Sequence, residues 1–365
     1  MTRILVERLA MLFGRNERFL RNASRRPFLL RRLLILGKRH FWTTAIVSGS
    51  DAVATRGLRV PYAEPSAALG LEGFVLGIND EKEHRVQQNR IKHAIDASAA
   101  GHATGLERLD AVMRSGVRAG EPFDLDALVR EAVTVWASEL LGVAADAGPG
   151  LIAAGQAVVD RTYLANDYEG PMKPDKTAWA GRCQAVVGEY RIALTQPFPA
   201  GSIGSNLTGT PDEVKRDVIG LTGGPTALTV KAAVSIVQWA LGRRRRWTAL
   251  SCAAHRDDFR ARLRTIVEEV PPEYFLPRHA ADETARVLVS GWGDRKRHDT
   301  PFGSEPHLCL GEQWALDALA ALLRPVFFHR RGRYVPGCAA DVHRGLWVKL
   351  GSYRRGASED VSYVA

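Results

Sequence analysis

Apolar residues recur at helical spacing along most of the chain and alternate like a strand only briefly. Between Phe123 and Leu141, the side chains of Leu125, Leu128, Val129, Ala132 and Trp136 share one face of a predicted amphipathic helix. Residues 80–97 predict a polar helix carrying His84, and Arg262 to Val270 a further helix that Pro271-Pro272 stops. The clearest helix begins at Thr210-Pro211-Asp212-Glu213, which offers an N-cap, a proline at the first helical position and a capping-box acid. Its pattern runs to Leu241-Gly242, roughly 46 Å at the helical rise per residue, and four arginines follow. Thr222-Gly223-Gly224-Pro225-Thr226 falls at its middle and predicts a break, because Pro225 has no N–H for the Leu221 carbonyl. Such a break opens a groove lined by carbonyls; a plain packing kink is an equal reading. Strand signals are few and short. Phe41 to Val47 is β-like and ends at Ser48-Gly49-Ser50-Asp51, with a brief helix from about Asp51. The fold class is therefore mainly α with a minor β part.

Composition narrows this little. The chain has 365 residues, 45% hydrophobic and 25% charged, with no linker-like tract and no repeat, which predicts one domain over 41–365. No run of ~18 apolar residues predicts a membrane span, and no secretory signal pattern opens the chain. Cys183, Cys252, Cys309 and Cys338 are too scattered for a disulfide framework, so a reducing cytoplasm is expected. Charge changes the picture more. Residues 1–40 hold eleven Lys or Arg against Glu7 and Glu17, so nearly all of the net +10 lies in a basic N-terminal arm. Two readings follow: contact with an anionic membrane surface or acidic partner, or a solvated arm covering the body, the plainer of the two. No nucleic-acid motif accompanies the charge, so no nucleic-acid partner is expected.

The candidate chemistry centres on Cys309. It lies in Pro301-Phe302-Gly303-Ser304-Glu305-Pro306-His307-Leu308-Cys309-Leu310-Gly311, just before a predicted helix over Glu312 to Leu323. Helix N-termini favour negative charge, so a thiolate is expected there, able to hold a soft metal. An ordinary buried cysteine is the alternative.

This segment resembles the haem loop of the cytochrome P450 family, Phe-x-x-Gly-x-His/Arg-x-Cys-x-Gly. Phe302, His307, Cys309 and Gly311 match, and Glu305 stands where the family has glycine. The broken helix is similar to the family's distal helix, Ala-Gly-x-acid-Thr. Gly223 and Thr226 match, Thr222 replaces the alanine and Pro225 the acid. Pro271-Pro272 followed by Arg278 resembles the stretch after the family's Glu-x-x-Arg helix, Phe123 to Gly142 looks like bacterial members, and Glu83-His84 like their acid-His haem contact. The departures are definite. The Glu-x-x-Arg pair is broken, since prolines stand three residues after Glu268 and Glu269. Gln88 stands where an arginine is usual. The segment from Arg278 to Phe302 is short, so the fold is expected to be truncated between the proline pair and the cysteine loop.

The resemblance implies haem b with Cys309 as axial thiolate and Gly311 letting backbone N–H groups approach the sulfur. It implies His307, Arg278 and His84 as propionate partners, and Leu221, Gly223 and Gly224 as the groove wall over the haem. Thr226 is the candidate distal hydroxyl; a helical threonine bonded to an upstream carbonyl is the equal alternative. The implied activity is a monooxygenase or peroxygenase acting on a small, mostly apolar organic substrate, with external ferredoxin and reductase or hydrogen peroxide as co-reactant. A non-redox isomerase or dehydratase, or a non-catalytic binding protein, are the alternatives. No phosphate loop or dinucleotide fingerprint is found, so NADPH or flavin would sit on a separate protein. The expected location is cytoplasmic, peripheral to the membrane if the arm binds it.

Overall fold

A computed structural model describes residues 62–117, 122–144, 147–159, 176–241, 243–269 and 308–328, with Arg161, Phe302 and short strands on either side. The arm at 1–40, the helix expected near Asp51, and His307 lie outside the described residues.

In chain order the elements are β1 (Thr43–Ser48), α1 (Ala63–Ala68), α2 (Glu81–Ala97), α3 (Ala99–Gly116), β2 (Pro122–Phe123), α4 (Leu125–Leu141), α5 (Gly148–Val159), α6 (Lys176–Ala193), α7 (Ile203–Asn206) and α8 (Pro211–Thr222). A π turn (Gly224–Leu228) leads to α9 (Thr229–Leu241), α10 (Arg244–Ala254) and α11 (Phe259–Glu269). Strands β3 (Phe275–His279) and β4 (Arg286–Ser290) precede α12 (Glu312–Phe327), and β5 (Arg333–Tyr334), β6 (Val342–His343), β7 (Trp347–Val348) and β8 (Tyr353–Arg354) complete the described elements. The molecule is mainly helical, as the sequence pattern predicts.

The central rod forms as its local signals dictate. Thr210 caps α8 through its hydroxyl, and the Glu213 side chain returns to the Thr210 N–H. At the break the Leu228 N–H reaches back five residues to the Gly223 carbonyl at 3.1 Å, so the rod continues through a widened turn. Helix α5 lies across α8 and this turn, while α4 and α12 pack on α9. The core of Trp136, Leu109, Ile219, Ala233, Val237 and Leu322 fills the space between them. Helices α3 and α4 approach closely at Gly105, which presents no side chain: a Cβ there would lie 2.9 Å from the Trp136 ring.

Strand β1 pairs in parallel with β4, and β3 pairs antiparallel on the other side of β4, Arg278 opposite Val287. Pro277 is tolerated because β3 is an edge strand. A second sheet has the order β2-β8-β5, and β6 pairs with β7.

Candidate functional site

Phe302, Cys309 and Gly311 come together at the start of α12. The Cys309 N–H donates to the Phe302 carbonyl at 2.6 Å, which pins the cysteine to the beginning of its own loop. The Gly311 N–H donates to the thiol. Phe302, Leu310 and Trp314 pack on the core, while Leu308 and Cys309 are exposed. Desolvation pushes the Cys309 thiol pKa up; the Gly311 N–H works against it, and the nearby Glu312 carboxylate adds to it. These influences run against a ready thiolate in the metal-free chain. A bound metal ion would take the proton off.

The broken helix has two distinct faces. Leu221, Gly224, Pro225 and Leu228, at spacing i, i+3, i+4, i+7, face open or half-open space. No atom lies within 4 Å of where a Gly224 side chain would begin. Thr222, Gly223 and Thr226 are buried against α5 instead. The Thr226 hydroxyl donates to the Thr222 carbonyl at 2.6 Å and sits directly beneath Gly155 of α5. Gly223 is covered by Val159, 3.0 Å from a would-be Cβ. Leu221 and Gly224 thus share the open face of the helix, whereas Gly223 and the Thr226 hydroxyl are turned away from it. The widened turn changes the helical phase, which the one-letter spacing does not reveal.

The sequence matches no protein-family model and no curated protein. Its shape does match solved structures. Epothilone B-bound cytochrome P450epoK superposes at a TM-score of 0.65 with 14% identity, over 92% of this chain and 98% of that one. The P450 haem domain of Tepidiphilus thermophilus superposes at 0.64 with 12% identity, over 93% of each chain. P450BioI, solved with an acyl carrier protein ligated to hexadec-9Z-enoic acid, gives 0.63 with 12% identity, over 85% of this chain and 92% of that one. The chain has the cytochrome P450 fold.

Within that P450 fold the remaining candidates are dispersed. His84 is buried in the first turn of α2, which Asp80 caps by accepting from the Glu83 N–H at 2.8 Å. Arg278 lies on β3. Helix α2 does supply Arg85, which pairs with Glu81 on its own surface, and Arg90, two residues beyond Gln88. Arg90 pairs with Asp217 of α8, a carboxylate that also accepts from the Arg216 Nε at 2.8 Å. Arg90 therefore ties α2 to the central rod.

Helix α11 ends at Glu269, consistent with the proline pair. Without an intact Glu-x-x-Arg, α11 reaches the cysteine helix through two arginines. Arg264 Nη2 is 3.0 Å from Glu312 Oε1, and Arg260 Nε pairs with Asp317 Oδ1. Arg260 also donates to the Gln313 carbonyl at 3.1 Å. Sequence inspection missed these links because nothing in either segment marks its partner. Among the described residues, no helix of this P450 fold is long and apolar enough to cross a membrane.

Proposed function

We propose that the chain is a haem-thiolate oxidoreductase acting on a small, mostly apolar organic molecule. The observation that carries this reading is the Cys309 thiol, fixed by Phe302 and Gly311 at the start of α12 within a P450 fold. The donor set suits haem b. Among the described residues no three His, Cys, Asp or Glu side chains are grouped to hold a metal by themselves. Cys309 is a lone soft donor among the described residues, a set that the four nitrogens of a porphyrin would complete. Cys309 would hold the iron, with Arg278, His307 and His84 as the proposed partners of the propionates. When bound, the haem supplies oxygen chemistry at iron, and electron donation from sulfur favours O–O cleavage.

The chain's own contribution is binding and exclusion. The Phe302 carbonyl holds the cysteine backbone, and the Gly311 N–H stabilises negative charge on sulfur. Leu221, Gly224, Pro225 and Leu228 form a carbon-lined wall that admits an apolar substrate and repels water. That wall carries no acid and no hydroxyl, and the Thr226 hydroxyl is committed to Thr222. No side chain of this face can hand a proton to a reacting oxygen. Hydrogen peroxide brings both its oxygen and its protons, so the wall favours peroxide over molecular oxygen with a ferredoxin and reductase. The basic arm at 1–40 remains a candidate contact for an acidic partner protein or an anionic membrane.

A panel of apolar substrates, supplied with peroxide alone or with oxygen, ferredoxin and reductase, tests the assignment. Oxidised product with peroxide alone is expected. Product only with the electron donor would remove the peroxide preference. Conversion without any oxidant would establish the isomerase or dehydratase reading, and tight binding without conversion would mark a non-catalytic binder.

A further inference from the structure

Helix α3 places a buried histidine, His102, against the helix that follows Cys309. Its ring stacks on Trp314 of α12, with centroids 4.5 Å apart and planes 9° from parallel. Trp136 of α4 meets it edge-on and donates its Nε1–H to His102 Nδ1 at 3.2 Å. The accepting Nδ1 fixes the neutral tautomer with hydrogen on Nε2, which faces Asp317 Oδ2 of α12 at 3.5 Å. Asp317 is itself held by Arg260 of α11. The other charged groups around the site are already engaged: Glu139 of α4 with Arg108 of α3, and Glu312 of α12 with Arg264 of α11. His102 is therefore the point at which α3, α4 and α12 are keyed together.

We propose that His102, in its neutral form, is a positioning residue for the cysteine loop. Through its stack on Trp314 it sets the first turn of α12, and so the place of Cys309 and Gly311. The proposal rests on the haem-thiolate reading for its consequence, although the key itself exists in the haem-free chain. Protonation at Nδ1 would set two donors, the imidazolium and the Trp136 N–H, against each other, and would separate the rings. Acid should then release α12 and weaken thiolate ligation.

Burial pushes the His102 pKa below its ordinary value, more than Asp317 restores it. A base depressed in the folded state binds fewer protons than in the unfolded chain. Its contribution to stability is thus complete above the ordinary value near ~6.5 and is lost as pH falls from there through the lowered folded value.

The test uses the full chain, both haem-free and haem-loaded. A protonated imidazole on Trp314 should quench indole emission, so haem-free wild type should lose emission in one step below pH ~6.5. Trp314→Phe should remove that step. His102→Gln keeps an acceptor for Trp136 but cannot titrate, and should remove the step while retaining emission at neutral pH. In the loaded protein the carbon monoxide band should pass from thiolate to thiol type over the same pH range, and His102→Gln should abolish that passage. A step that survives His102→Gln, or a thiolate band unmoved while emission falls, would overturn the proposal. If the chain takes up no haem, the haem reading fails by itself. Alkylation of Cys309 in a background carrying both Cys252→Ser and Cys338→Ser then decides. Acid should raise wild-type reactivity relative to His102→Gln, and identical profiles would refute the positioning role.

Discussion

Asp217→Asn should lower the stability of the fold by about 3–5 kcal/mol, the usual effect of removing one partner from a buried ion pair. The Asp217 side chain is 1% exposed and faces Arg90, 17% exposed, and Arg216, 14% exposed. Burial and the neighbouring Arg90 already push the Arg216 pKa down, so these guanidiniums depend on the carboxylate between them. Neutralising Asp217 leaves two cations facing each other with little water. The change should appear as a lower urea midpoint with an unchanged slope. Arg90→Met combined with Asp217→Leu removes one cation together with the anion and should recover part of the loss. A loss below about 1 kcal/mol for Asp217→Asn would mean that the pair is solvated and worth no more than a surface bridge. Because Asp217 lies one turn before Leu221, the same variant should loosen the seat of the open wall.

The second large effect is expected at the crossing of α5 and the broken helix. A Cβ on Gly155 would fall on the Thr226 hydroxyl and 2.9 Å from the Thr222 carbonyl. Backbone cannot yield as a flexible side chain does, so Gly155→Ala should cost about 1–3 kcal/mol or more through overpacking. Thr226→Ala removes one of the two obstacles. The double variant should therefore be less damaged than the sum of the single ones, with a coupling of about 0.5–3 kcal/mol. Gly181 of α6 is the control. Nothing lies within 4 Å of its would-be Cβ, so Gly181→Ala should gain the ordinary helix propensity of roughly 1 kcal/mol. Additive Gly155 and Thr226 effects would show that α5 does not rest on the threonine.

Local signals were legible in the sequence, and long-range ones were not. The capping box of Thr210 and Glu213, the break after Thr222, and the helix after Cys309 each follow from residues within one or two turns of each other. The orientation of Thr226 does not, because one five-residue turn changes which side chains share a face. Arg90 could be noticed in the sequence, but its partner Asp217 lies on another helix and has no local mark. His102, Trp136, Trp314 and Asp317 come from three helices, and no periodicity in any of them points to the others. The broken Glu-x-x-Arg was visible as an absence. Its replacement by Arg260 and Arg264 became visible only once α11 and α12 were packed together.

Cys309 is proposed to hold a haem iron through its sulfur. The most direct measurement is the carbon monoxide difference spectrum of the full chain after haem loading and reduction, wild type beside Cys309→Ala. The wild type should show the red-shifted Soret band of thiolate ligation, and the variant should lose it completely. A wild type that binds no haem, or a variant that keeps the red-shifted band, would contradict the proposal.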